Sequence, residues 1–260
     1  MAQGVHGRRR VGLGETFWQY RDYEPGDPPT SIDWRQTAKS DRVFVRQMEW
    51  EAAQSVWCWR DASASMDWRS HNRLPRKRER AELLLLALMI LMTRAGEHVT
   101  LLGTGMTPSA GRGMLGRFTE LLTQEQADRA ASLPPMEPLP RSAQVLLLGD
   151  FLSPLEEIEK TLRGFAERGV SGHLVQVLAP AEETLPYHGR VRFEGLEGER
   201  TWLLSRAEGV RDDYRRRLRA QEDGIAAIAR RTGWQCTWHR TDRPPQTALL
   251  AVYGALSRQA

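Results

Sequence analysis

A chain of 260 residues, 40% apolar and 27% charged, can bury about three quarters of its unfolded surface in one large α/β domain or two small ones. The formal charge of +4 is small for this length, and the basic pI comes mostly from arginine in lysine's place, Lys39, Lys77 and Lys160 being the only lysines. These values argue against a nucleic-acid groove, and no apolar run approaches the roughly 20 residues that span a bilayer.

Residues 1–14 read as a flexible N-terminus, with glycines, three consecutive arginines and no periodicity. Met1–Arg10 lacks the apolar centre of a secretion signal, and Cys58 and Cys236, each near tryptophan in a predicted strand, read as reduced, buried hydrophobes. A cytoplasmic location is therefore expected. Residues 15–50 form a lobe rich in aromatic and turn-forming residues, including Phe17, Trp18, Tyr20, Tyr23, Pro25-Gly26-Asp27 and Trp34. An alternating pattern over 42–49 predicts a strand within it.

A second strand over 52–60 ends at Asp61. Arg69–Arg80 is a basic loop entering a helix, and its cluster (Arg73, Arg76, Lys77, Arg78, Arg80) reads as a solvated helix start or a phosphate-binding patch. The helix continues through 81–95 and stops at Gly96. A strand over 97–103, a glycine-rich loop over 103–116 and a helix over 114–131 follow. Leu133–Pro140 is too proline-rich for a helix or a central strand. The apolar run 143–149 reads as a fully buried strand ending at Asp150. A helix over 155–168, a strand over 172–178, a hairpin from 190–194 and 201–204, a long helix over 206–231 and a strand over 234–239 complete the chain. This rhythm predicts a mostly parallel sheet covered on both faces.

Asp61-Ala62-Ser63-Ala64-Ser65 directly follows an apolar strand, so one turn presents a carboxylate and two hydroxyls to a single point. Hard cations such as Mg²⁺ prefer such oxygen ligands and keep several waters. Asp150 closes a second buried strand, and in open parallel sheets ligands gather at the carboxyl ends of strands where strand order reverses. Two plainer readings stand beside this one: the serines cap a turn, and Asp150 caps the helix that follows. The histidines show no metal-ligand spacing.

Three further stretches carry a resemblance: Gly12-Leu13-Gly14-Glu15-Thr16-Phe17, Arg21-Asp22-Tyr23-Glu24-Pro25-Gly26-Asp27 and Ile32-Asp33-Trp34-Arg35-Gln36-Thr37-Ala38. Together with the Asp61 and Gly149-Asp150-Phe151 motifs and the turn Ala179–Pro186, they resemble the MoxR-associated domain-of-unknown-function (DUF) family 58 over roughly residues 12–236. The resemblance implies a von Willebrand factor A-like, Rossmann-type doubly wound domain with a six-stranded sheet, here over 51–240, followed by a C-terminal segment over 241–260. It further implies a metal-ion-dependent adhesion site (MIDAS) in which Ser63 and Ser65 bind Mg²⁺ directly. Asp61 and Asp150 act there through water, and a partner's acidic residue completes the shell. The family's third motif is a loop threonine; Thr104, Thr107, Thr119 and Thr123 are available, none in a matching context. Ala179 stands where relatives often carry Asp.

The implied role is a non-enzymatic adaptor of a MoxR-type AAA+ ATPase acting on a client protein, with Arg21, Asp27, Asp33 and Arg35 as a candidate docking network. The absence of a G-x-x-x-x-G-K-[ST] motif fits a partner that supplies ATP hydrolysis. The same lobe residues can instead pack and pair internally. Two rival readings stay open: a Mg²⁺-dependent phosphohydrolase with Asp61 as nucleophile, and a metal-free scaffold. Against the phosphohydrolase, Ser63 stands where a second aspartate is needed, and no lysine is evident at a third motif.

Overall fold

The computed structural model describes residues 8–52, 55–124, 131–141, 143–196 and 201–258. Its centre is a five-stranded sheet of β3 (Ser55–Arg60), β4 (His98–Leu101), β5 (Gln144–Gly149), β6 (Ser171–Leu178) and β9 (Gln235–Arg240). The strands run in the order β4-β3-β5-β6-β9, and every pairing is parallel.

Alternation along the strands feeds two cores, because successive side chains of a strand point to opposite faces. Val56, Cys58, Val99, Leu146, Leu148, Val175 and Val177 pack on one face with helices α2 (Lys77–Arg94), α3 (Arg112–Gln124) and α7 (Pro245–Arg258). Trp57, Trp59, Val145, Leu147 and Leu174 pack on the other with α4 (Leu155–Ala166) and α6 (Arg211–Thr232). β5 is buried along its whole length, which is why its sequence is an unbroken apolar run. Each buried leucine or valine here contributes about 1.5–3 kcal/mol of transfer free energy.

The chain leaves β3 toward one edge (β4) and then returns past β3 to β5, so strand order reverses between β3 and β5. Asp61 and Asp150 leave the carboxyl ends of these two neighbours, the position where such sheets form a crevice.

Three expectations need correction. The described sheet has five strands, where six were expected. At the outer edge only Ser109 bridges Val99, antiparallel, through Val99 N–H to Ser109 O at 3.0 Å and the reverse bond at 3.1 Å. Gly103, Gly105 and Pro108 surround that bridge, and proline cannot donate to a ladder. The strand expected at 42–49 lies outside this sheet. It is β2 (Phe44–Ala52), paired antiparallel with β1 (Arg8–Asp22).

Consequently the described part of residues 1–14 is strand, since β1 starts at Arg8. Its register shift between Val11 and Thr16 takes up Gly12-Leu13-Gly14-Glu15, so the pairing on either side is joined by an irregular stretch. Last, the C-terminal segment belongs to the domain. Ala248, Val252, Ala255 and Leu256 of α7 are buried in the core shared with α2. The N-terminal lobe also holds a short helix, α1 (Trp34–Thr37). A second hairpin, β7 (Val191–Phe193) with β8 (Trp202–Leu204), stands beyond α5 (Pro180–Thr184).

Candidate functional site at the carboxyl edge of the sheet

The backbone brings the four predicted ligands together. Asp61 N–H donates to Leu148 O at 2.7 Å, tying the end of β3 to β5. Ser63 N–H donates to Asp61 Oδ1 at 2.8 Å, and this local turn lifts the two serines over the strand end. Ser63 Oγ and Ser65 Oγ lie 3.0 Å apart, and Ser65 Oγ donates to Asp150 Oδ2 at 2.6 Å. Asp61, Ser63 and Asp150 are buried. Asp150 does not cap α4, whose N-cap is Pro154; its Oδ1 accepts instead from Leu152 N–H.

Asp150 is held from several sides. Gln176 Nε2 donates to its carbonyl at 2.7 Å, and Gln221 Nε2 donates to the carbonyls of Phe151 and Ser153. Phe151, the next residue, has φ of 49°, a left-handed conformation uncommon for a bulky side chain. Such strain persists where the surroundings over-determine the backbone. Gly149 on the other side lies so close to Asp61 that an added Cβ would meet Asp61 Cβ at 3.0 Å.

The side chain missed at the sequence level is Lys77. It is 0% exposed, and its Nζ donates to Asp150 Oδ2 at 2.8 Å and to Glu182 Oε1 at 2.5 Å. The reading of this lysine as part of a solvated helix start is therefore overturned. Burial by itself would lower its pKa, but Asp150 and Glu182 outweigh burial and hold the ammonium above its ordinary value. Glu182, pushed up by burial against the pull of Lys77, also accepts from Ala179 N–H at 2.7 Å through Oε2. The one sequence signal is scarcity: Lys77 is one of three lysines in a chain with 34 arginines, at a position where arginine would be the commoner choice for a buried ion pair.

The threonines do not complete the set. The Thr104 hydroxyl donates to Leu101 O and that of Thr119 to Leu115 O, while Thr107 is exposed in its loop. The side chain of Thr123 lies outside the described residues. Among the described residues no group of three or more His, Cys, Asp or Glu gathers to hold a metal, so any cation here depends on the hydroxyls. Neighbouring ligands of an octahedral Mg²⁺ ion at its usual bond lengths lie about 3 Å apart. The serine oxygens have that separation, which is also a hydrogen-bonding distance. Two hydroxyls flanked by two carboxylates thus fit a hard divalent ion.

Ser65 and Glu182 open into a groove of about 920 Å³. Its walls are largely aromatic and aliphatic, with Trp68, Tyr187, Phe193, Trp202, Leu204 and Tyr214 among them. Trp202 is 66% exposed on the β7–β8 hairpin. The hairpin is legible in the sequence; its meeting with the Asp61 turn is not.

The N-terminal candidates sit elsewhere, within residues 20–46. Arg21 donates to both oxygens of Asp27, at 2.7 and 2.5 Å. That pairing, followed by Glu24 N–H, brings the Asp27 pKa down to about 2. Asp33 caps α1 by accepting from Gln36 N–H at 2.9 Å, and it also faces Arg46 Nε at 3.3 Å. The cap and, behind it, Arg46 lower its pKa. Arg35 is exposed beside Trp34. Three of the four proposed docking residues thus pair inside the lobe, and Arg35 with Trp34 faces outward.

Fold and site together define a parallel α/β domain with an oxygen-rich cluster at its switch point. The chain belongs to the family described as protein of unknown function DUF58, whose model matches residues 19–224. It is 29% identical over 246 residues to the uncharacterized protein Mb1516 of Mycobacterium bovis, a match covering 89% of this chain and 76% of that protein. An aerotolerance-related membrane protein of Bacteroides fragilis shares the fold with a TM-score of 0.52 at 15% identity, over 79% of this chain and 99% of that one. The SpRpn10 VWA domain aligns over 76% of this chain and 94% of its own at 9% identity, with a TM-score of 0.37. Among the described residues no helix is long and apolar enough to cross a membrane.

Proposed function

We propose that this protein is a non-enzymatic interaction module that docks partners at the carboxyl edge of its sheet through a divalent cation, with Mg²⁺ the natural choice. Ser63 and Ser65 would hold the ion, with Asp61 and Asp150 behind them, and the ion would offer an open coordination position to a carboxylate. The aromatic groove beside Ser65 supplies apolar contact for the residues flanking that carboxylate. The partner class is a MoxR-type AAA+ ATPase in the cytoplasm, with a client protein whose assembly or maturation it assists. The observation that carries this reading is the convergence of Asp61, Ser63, Ser65 and Asp150 at the sheet edge, with Ser65 opening from that cluster into the groove.

The test is size-exclusion chromatography of the purified protein with the purified ATPase in Mg²⁺ and ATP. Wild type should co-elute, while Asp61→Ala and Trp202→Ala, both folded, should not. Co-elution unchanged in both variants would remove the sheet edge as the docking surface, and no complex with wild type would remove the ATPase as partner. The buried Lys77–Asp150 pair favours the phosphohydrolase in one respect. Asp61, however, is 0% exposed and already accepts from Ser63 N–H, a poor disposition for a nucleophile.

A further inference from the structure

The buried lysine is not part of any cation-binding set, yet it touches the same oxygen as the ligands. Ser65 Oγ donates to Asp150 Oδ2 at 2.6 Å, and Lys77 Nζ donates to that oxygen at 2.8 Å. On the far side Lys77 is held by Glu182, itself anchored to Ala179 N–H and lining the groove. Since both donors sit on one oxygen, Ser65 Oγ and Lys77 Nζ are within about 5.5 Å of each other.

We infer that Lys77 sets how tightly this site takes a divalent cation, by placing a fixed positive charge beside the ion, with Glu182 offsetting part of that charge. The inference rests on the cluster being a cation site, as proposed above. Repulsion between a dication and an ammonium at this range alters affinity by about tenfold or more even with water-like screening. Lys77 also draws on the carboxylate that would otherwise face the ion alone. Glu182 works in the opposite sense: its negative charge lies near the site, and it shares the ammonium with Asp150. Such a site is weak by construction and fills best when a partner's carboxylate adds negative charge. Ion occupancy is thereby tied to docking.

Lys77 also braces α2 against α5, and a purely structural role makes a different prediction. If bracing were all, Lys77→Met and Glu182→Gln would both loosen the cluster and both weaken ion binding. A charge-setting role makes the two variants move in opposite directions.

The experiment is a Mn²⁺ titration of the full chain at pH 8, read by the electron paramagnetic resonance signal of free Mn²⁺, with Ser65→Ala as control. Lys77→Met should bind Mn²⁺ about tenfold or more tighter than wild type. Glu182→Gln should bind more weakly than wild type, and Ser65→Ala should lose the site. If wild type binds in a Ser65-dependent way but the two variants do not diverge, this inference falls and the cation site stands. If neither wild type nor Lys77→Met binds Mn²⁺, both fall. Removing one member of a buried ion pair is costly, so Lys77→Met is checked by circular dichroism. Should it fail to fold, Glu182→Asp, which keeps the charge but shortens the brace, is set beside Glu182→Gln: weaker binding in Glu182→Gln alone supports the inference, and equal loss in both, or none in Glu182→Gln, overturns it.

Discussion

At the scale of single residues, the carboxyl edge works by close approach. Gly149 brings β5 against Asp61, and the space for a Cβ is already occupied by the Asp61 side chain at 3.0–3.2 Å. Gly149→Ala should destabilise the protein by about 1–3 kcal/mol, as overpacking of a tight site does. Chemical denaturation should register that as a lower midpoint at unchanged slope. The Asp61, Ser63, Ser65 and Asp150 set was legible because a D-x-S-x-S turn after an apolar run and an Asp after another are local patterns. Lys77 was not. Its partners lie 73 and 105 residues away, and the run of arginines around it reads as a solvated face.

Among the elements, α7 and the β7–β8 hairpin depended most on tertiary context. α7 lies in a stretch set apart as a terminal segment, yet its own Val252 and Leu256 are each 1% exposed. Leu256→Ala should cost about 2–5 kcal/mol, read as a fall in the midpoint of thermal or urea unfolding. A terminal appendage would give a change near zero. The hairpin behaves in the opposite way: Trp202 is exposed and lines the groove, so its contribution is to the groove rather than to stability. The sixth strand shrank to one bridge because glycine and proline interrupt it. The N-terminal lobe gained a long strand because backbone pairing to β2 needs no apolar alternation.

For the molecule as a whole, acid stability follows from two buried histidines. His173 is lowered to about 4 by burial, and its Nε2 is 2.8 Å from Thr237 Oγ1. His239 is lowered to about 4 by burial and then by Arg80. Both folded-state values lie below the unfolded value near 6.5, so the unfolded chain binds more protons between those limits. The stability these groups contribute is full above pH ~6.5 and falls as the pH drops toward ~4, by a few kcal/mol at most. Urea unfolding at pH 7, 5.5 and 4.5 should show this loss, and His173→Gln should flatten it. An equal slope in wild type and variant would rule His173 out as a source.

Taken by itself, the sequence determined the parallel α/β class, the two-faced strands, most helices and the four oxygen-bearing side chains, Asp61, Ser63, Ser65 and Asp150, that meet at the sheet edge. These rest on periodicity and on turn chemistry, which act over a few residues and survive without knowledge of the fold. Only the tertiary structure decided the strand count, the membership of α7, the groove beside Ser65 and the lysine between Asp150 and Glu182. Each of these depends on segments far apart in the chain meeting in space. A lysine's charge is the same in solvent or between two buried carboxylates, and the fold alone selects which of those it meets.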